Sequence, residues 1–398
     1  MITLVDETTT TQVTLPTLDE QSALTHKMRT EPIAPREFVF QGDLIPMNEL
    51  SLLPAFNGSG KSFLALQIAM HKAAGRSYMI DEKGGRHFDP VKEGRVLILS
   101  NEDTSDDYAR RMQSIIQNFP DLDRSQSALE QIDKNLFAIS FTELGLAGNL
   151  IMKDAPTGLI KPSPEWAVVR DFIIGGEFQF VVIDPYHYVV SAATENSNEE
   201  QGMAVGALIA LAKETGTAIL CPAHTSESNP LKVRGATSIT DRARSVFSMA
   251  TLARLYEKQV NVSMPKKSDL GDLPPSNVVR LSMTKNSHGN LMTRFMLFER
   301  RPTGVMVPVL IKGEQQVDFH NAVIEAIKSQ PEGRANQSQI VGWLGKNNAD
   351  EGKSDRTLEK HIKQIAESGY IEQVEGIPGP GKYYKVADLP APEQCKNP

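Results

Sequence analysis

Leu50-Ser51-Leu52-Leu53-Pro54-Ala55-Phe56-Asn57-Gly58-Ser59-Gly60-Lys61-Ser62 is an apolar run of strand length that breaks into a glycine-serine turn and reopens on a helical pattern running to Ala74. A strand, a glycine-rich turn and a helix in that order form the context that a phosphate-binding loop requires. Glycines let consecutive backbone N–H groups close around phosphate oxygens, and the start of the helix adds positive potential there. In such a loop Asn57, Gly58, Ser59 and Gly60 line the cradle, Lys61 reaches the β- and γ-phosphates of ATP, and the Ser62 hydroxyl ligates Mg²⁺. The first glycine of the usual pattern is Ala55 here; that position mainly shapes the turn, and alanine is small. A glycine-serine loop that only caps a helix is the plain alternative.

Working outward, apolar runs of strand length alternate with helical patterns from about 38 to 311. Helices are expected over 104–118, 164–174 and 199–215, and strands over 95–100, 136–140, 178–184 and 217–223. Such alternation implies crossover units around a mainly parallel sheet, the α/β class. Strand-like segments at 245–250, 278–285 and 295–299 follow.

Three of these strands end in chemistry. Phe180-Val181-Val182-Ile183-Asp184 is an apolar strand closing on an acid, the arrangement that holds Mg²⁺ beside a phosphate loop. An aspartate that starts a turn before Pro185 would look the same. The strand ending at Ser100 runs into Asn101-Glu102-Asp103, and a carboxylate at the carboxyl end of a neighbouring strand can orient and deprotonate an attacking water. Glu102 is the candidate base, with capping of the next helix as the competing role for it and more so for Asp103. The strand 217–223 ends at His224-Thr225, where a histidine could sense the γ-phosphate or serve only as a hydrogen-bonded structural residue.

From 318 the pattern changes to three short helices, 318–328, 336–346 and 354–368, and a strand pair, 370–375 and 382–387. That layout is a winged helix with its wing tip at 376–381. In the third helix Leu358, Ile362 and Ile365 share one face, and Ser354 and Gly369 suit its two ends. Arg356, Lys360 and Lys363 then lie largely on the free face, as candidate DNA contacts. The expected organisation is a flexible arm over 1–36, an α/β ATPase domain over 37–312 that resembles the RecA type, the winged helix over 313–389 and a disordered tail over 390–398.

Bulk composition sets limits. Of 398 residues, 40% are hydrophobic and 23% charged, ordinary soluble usage. A net charge of −7 argues against coating nucleic acid through global basicity, though a local basic channel is compatible with it. The two cysteines, Cys221 and Cys395, form no CxxC pair, which argues against structural zinc and disulfides and fits a cytoplasmic protein. No secretory signal is evident, and no apolar stretch approaches the ~20 residues of a membrane helix.

These motifs in this order, with Lys92-Glu93-Gly94-Arg95 leading into the second strand, resemble the plasmid RepA family of hexameric helicases and, more widely, the RecA and DnaB-type ATPases. The resemblance covers about 38–300. It implies that Glu102 is the catalytic base, Asp184 the Mg²⁺ ligand and His224 the sensor. Val233-Arg234-Gly235-Ala236-Thr237-Ser238 looks like the stretch that carries the family's arginine finger, which implies that Arg234 reaches the nucleotide of an adjacent subunit. Thr284-Lys285-Asn286-Ser287-His288-Gly289 is similar to a segment whose basic residue also faces the neighbour, implying Lys285. Loops 191–200 and 226–232, the second with Lys232, hold the positions that line the channel of such rings, although the first is acidic and lacks stacking aromatics.

The resemblance thus implies an ATP- and Mg²⁺-dependent homo-oligomer, a hexamer, that translocates on single-stranded DNA in plasmid or phage replication. Replication proteins or origin DNA would engage the winged helix. Two rivals stay open: an ATP-switched DNA-binding initiator or regulator, and a recombination ATPase of the RecA and RadA kind.

Overall fold

The computed structural model describes residues 2–3, 12–13 and 17–309, apart from 33, 77–78, 81–85, 89, 120–124, 147–148, 155, 191–192, 261, 263, 266 and 289–294. Beyond these it describes 323, 326–330, 333–346, 355–367, 371–374 and 382–386.

The chain opens with a short pair, β1 (Ile2–Thr3) and β2 (Gln12–Val13), and helix α1 (Leu18–Thr30). A hairpin of β3 (Phe38–Phe40) and β4 (Leu44–Pro46) leads to β5 (Leu50–Ala55) and α2 (Lys61–Ala74). The pair β6 (Met79–Ile80) and β7 (Arg86–His87) precedes β8 (Val96–Ser100), α3 (Ser105–Asn118), α4 (Gln126–Asn135) and β9 (Leu136–Ser140). A second hairpin, β10 (Ile151–Lys153) and β11 (Ile160–Pro162), leads to α5 (Pro164–Gly175), β12 (Phe180–Asp184) and the one-turn α6 (Tyr186–Val189). Then come α7 (Asn198–Thr215), β13 (Ala218–His224), α8 (Thr237–Arg242), β14 (Ser245–Thr251) and α9 (Leu252–Glu257). Strands β15 (Val278–Asn286), β16 (Phe295–Arg300) and β17 (Met306–Pro308) close this part.

One nine-stranded sheet organises these elements, in the order β17-β16-β15-β14-β5-β13-β12-β8-β9. From β14 to β9 every neighbouring pair is parallel, and β15, β16 and β17 add an antiparallel edge. Apart from the edge strand β9, the parallel strands are buried on both faces, so alternate residues feed two cores. Leu53, Ala55, Ile98, Phe180, Val182 and Leu220 face the side covered by α2 and α3. Leu50, Leu52, Leu99, Val181, Ile183 and Ile219 face the side covered by α5 and α7. Each fully buried aliphatic or aromatic side chain contributes about 1.5–3 kcal/mol relative to exposure, so this two-sided burial fixes the register of the strands whose tips form the site.

Where a flexible arm is expected, residues 18–30 form α1. Thr17 caps it in a reciprocal box with Glu20, yet none of its residues is buried. The helix beginning at Ser105 is capped by Thr104 paired with Asp107, so neither Glu102 nor Asp103 is its cap.

The last part of the chain contains β18 (Arg334–Asn336), α10 (Gln337–Lys346), α11 (Asp355–Glu367), β19 (Ile371–Val374) and β20 (Tyr383–Val386). The strands form an antiparallel sheet ordered β18-β20-β19 around a core of its own, with Ile327, Ile340, Leu344, Ile362 and Ile371. Most of the helix expected over 318–328, the wing tip 376–381, Ser354, Gly369, the Ile365 side chain and the tail lie outside the described residues. Among the described residues no helix is long and apolar enough to cross a membrane.

Candidate active site

The carboxyl ends of β5, β13, β12 and β8 lie side by side, and parallel α/β sheets bind ligands at this end. Residue pairing fixes their alignment: His224 is opposite Ala55, and Asp184 is opposite Ser100. The motif residues that follow these strands therefore meet around one space.

The loop after β5 turns tightly, with Ser59 N–H donating to the Phe56 carbonyl at 3.1 Å and its hydroxyl to the same oxygen at 2.6 Å. Gly58 and Gly60 take φ of 72° and 92°, a region that glycine enters without steric cost. No side chain caps the start of α2, in contrast to α1, α3 and α7, which Thr17, Thr104 and Ser197 cap. The first-turn amides of α2 are thus left for another acceptor, as an anion site requires. Asn57 and Gly58 are exposed, whereas Ser59 and the Lys61 side chain are buried.

Two contacts from the antiparallel edge brace this loop. Arg300 donates to the Gly58 carbonyl. Gln67 of α2 exchanges two 2.9 Å hydrogen bonds with the backbone of Met306, as a strand neighbour would. Arg254 of α9 lies 3.6 Å over the Phe56 ring.

Asp184 is 4% exposed, and burial pushes its carboxyl up to about 6 against the pull of a Ser62 hydrogen bond and the Lys61 charge. One of its oxygens, Oδ1, is buried without a hydrogen-bond partner. A buried, unsatisfied carboxylate oxygen next to a serine hydroxyl fits a hard cation such as Mg²⁺, which takes oxygen ligands. Ser62 and Asp184 are the residues that would hold it.

Glu102 is exposed and turned toward the same space: a carboxylate oxygen of Glu102 and a ring nitrogen each of His187 and His224 lie within 4.8 Å of one another. Its neighbour Asp103 is committed elsewhere, in a bidentate pair with Arg111 at 2.5 and 2.7 Å. Burial, with Lys61 and His187 nearby, pushes the His224 imidazole down to about 4, so it is neutral at pH 7. Burial lowers His187 as well. The two rings sit 4.5 Å apart.

Arg234 follows directly. Its backbone N–H donates to the His224 carbonyl at 2.8 Å, and its guanidinium grips Glu195 at 2.6 and 2.8 Å. A cleft of about 610 Å³ lies between Asn57 and the Glu195–Arg234 pair, and a cavity of about 320 Å³ lies behind His187 and His224.

Other expected residues lie away from this cluster or are engaged within the subunit. The Lys285 ammonium donates to the Thr240 and Asp241 carbonyls at the end of α8, at 2.9 and 2.6 Å. Lys232 is exposed on a turn closed by Ser226 N–H to the Lys232 carbonyl. Of the channel loop expected over 191–200, residues 191–192 lie outside the described residues and 198–200 begin α7, where Glu200 bonds Lys153 and the Thr194 N–H. Arg356 and Lys363 are exposed on α11; the Lys360 side chain lies outside the described residues. The sequence reading missed His187, Glu195 as the partner of Arg234, and Arg300. Only His187 had a local signal, three residues after Asp184 in Asp184-Pro185-Tyr186-His187.

The crystal structure of a KaiC-like protein from the hyperthermophilic archaeon Pyrococcus horikoshii aligns over 69% of this chain and 99% of its own. The two share 14% identity, with a TM-score of 0.42. No curated protein matches. The model of the AAA domain family matches residues 14–230, a span that contains the phosphate loop, Glu102, Asp184 and His224. The chain belongs to the AAA domain family and is a P-loop ATPase.

Proposed function

We propose that this ATPase is a ring-forming helicase or translocase that acts on single-stranded DNA in plasmid or phage replication. The observation that supports it most is the convergence of Lys61, Ser62, Asp184, Glu102 and His224 at one end of the sheet, with Arg234 one hydrogen bond from His224. In this reading Lys61 and the loop amides hold the triphosphate, and Glu102 orients and deprotonates the attacking water. When bound by Ser62 and Asp184, Mg²⁺ supplies charge neutralisation at the phosphate oxygens. His224, neutral at pH 7, reads the γ-phosphate as a hydrogen-bonding partner rather than as a fixed cation.

Arg234 acts on the nucleotide of an adjacent subunit, so turnover depends on assembly. Its link to the His224 carbonyl joins the finger loop to the sensor strand. Lys285 is the second candidate for a trans role, once released from the α8 carbonyls. Lys232 and the loop 193–200 face the channel. The terminal module is a winged helix that binds DNA or replication proteins through Arg356, Lys360 and Lys363.

ATP turnover measured with and without single-stranded DNA, alongside native mass with nucleotide, tests this directly. The expected result is DNA-stimulated turnover by a hexamer; a monomer whose turnover ignores DNA would overturn it. The exposed Arg356 on α11 favours one second reading, an ATP-switched initiator. Protection of a specific duplex without unwinding would select that alternative.

A further inference from the structure

The geometry points to a second metal site, distinct from the Ser62–Asp184 oxygen pair: a site for a borderline divalent transition metal such as Zn²⁺, built from Glu102, His187 and His224. The ligand atoms of these three side chains lie within 4.8 Å of one another. They come from three separate segments, Glu102 after β8, His187 in α6 just after β12 and His224 at the end of β13, so the sheet register brings them together rather than one flexible loop. Two imidazoles and one carboxylate are a set that binds zinc with a fourth position open. Imidazole also selects transition metals over Mg²⁺, which prefers oxygen.

The site is slightly open. Zn²⁺ with ligands at about 2.0–2.2 Å in a tetrahedron needs donor atoms roughly 3.3–3.6 Å apart, so the three must draw together. Glu102 and His187 are exposed and have room to turn inward, while half-buried His224 provides the fixed point. Its Nδ1 is buried with no hydrogen-bond partner. Both rings are neutral at pH 7, the form that ligates metal. Lys61 and Arg234 oppose a cation here, but Arg234 is already paired with Glu195. Occupancy takes both the base and the sensor out of use, so the metal inhibits rather than assists hydrolysis. That consequence rests on the ATPase roles proposed above; the binding itself does not.

The test uses nucleotide-free full-length protein titrated with Co²⁺ alone, followed by visible absorption, where four-coordinate Co²⁺ gives intense bands. One equivalent is expected to bind with such bands and to be displaced by Zn²⁺. His187→Ala should weaken Co²⁺ at least tenfold with unchanged circular dichroism, whereas His26→Ala, on exposed α1, should bind as wild type. Equal affinity in wild type and His187→Ala, or only weak six-coordinate spectra, would overturn the site. A protein that binds Co²⁺ in this way but never turns over Mg²⁺-ATP would refute the hydrolytic roles and leave the metal site standing.

Discussion

Arg234 and Glu195 are locked side chain to side chain within one subunit, at 2.6 and 2.8 Å, and the backbone reinforces the lock: Ala236 N–H donates to the Glu195 carbonyl at 3.0 Å. The space between is so tight that a Cβ on Gly235 would lie 2.7 Å from that carbonyl. An arginine that serves a neighbouring subunit must leave this grip. Arg234→Ala should therefore lower ATP turnover of the assembled protein by about 10³-fold or more and leave nucleotide affinity of the single subunit unchanged. Turnover in mixtures with wild-type subunits checks this, because a trans role predicts loss at every mixed interface. Glu195→Ala should alter stability by less than about 0.5 kcal/mol, since both side chains are about half exposed. Urea denaturation reads that value.

Lys61→Ala and Glu102→Gln should separate binding from chemistry. The first should abolish retention of nucleotide. The second should retain nucleotide but slow single-turnover hydrolysis by about 10²–10⁴-fold, the usual range for a general base. Normal hydrolysis by Glu102→Gln would remove Glu102 from the mechanism.

Asp184 gives the apoprotein a pH dependence of defined sign. Its folded carboxyl titrates near 6, above the ordinary 3.8, so the neutral form is favoured in the folded state. The resulting stabilisation is complete below 3.8 and is lost as pH rises through about 6. A shift of this size corresponds to roughly 3 kcal/mol. Urea midpoints without Mg²⁺ should fall across that window in the wild type and stay level in Asp184→Asn. The variant should also lose Mg²⁺-dependent turnover.

Gly60 is constrained twice. Its φ is 92°, and a Cβ there would run into the Met306 methyl. Gly60→Ala should destabilise the protein by about 1–3 kcal/mol and weaken nucleotide binding, because a non-glycine residue is strained in that conformation. Adding Met306→Ala removes the clash but not the backbone strain, so thermal denaturation of the pair should show only partial recovery.

Much of this site was legible locally. Helix α2 was expected from Lys61 to Ala74 and β9 from Leu136 to Ser140, and both have those bounds. Strand runs of Val, Ile and Leu that end in polar residues announce parallel strands and their tips, because burial on both faces leaves little else in the sequence. Contacts between distant residues were not legible. Arg300 is 242 positions from Gly58, and no periodicity links the two. Glu195 looked like part of an acidic solvated loop because its partner, 39 residues later, is invisible to composition. Helix α1 was missed although Thr17-Leu18-Asp19-Glu20 carries the capping-box pattern, since the threonine- and glutamine-rich surroundings suggested an unstructured arm.

The paired hydrogen bonds between the Gln67 side-chain amide and the Met306 backbone make the last strand of the sheet an extension of the phosphate-loop helix, and Arg300 adds a tether to the Gly58 carbonyl. The chain leaves β17 at Pro308 toward its terminal module. The Gln67–Met306 and Arg300–Gly58 hydrogen bonds give that exit a short bonded connection to the nucleotide cradle. By thermodynamic reciprocity, any preference of the loop for filled or empty cradle is exerted in equal measure on the exit strand.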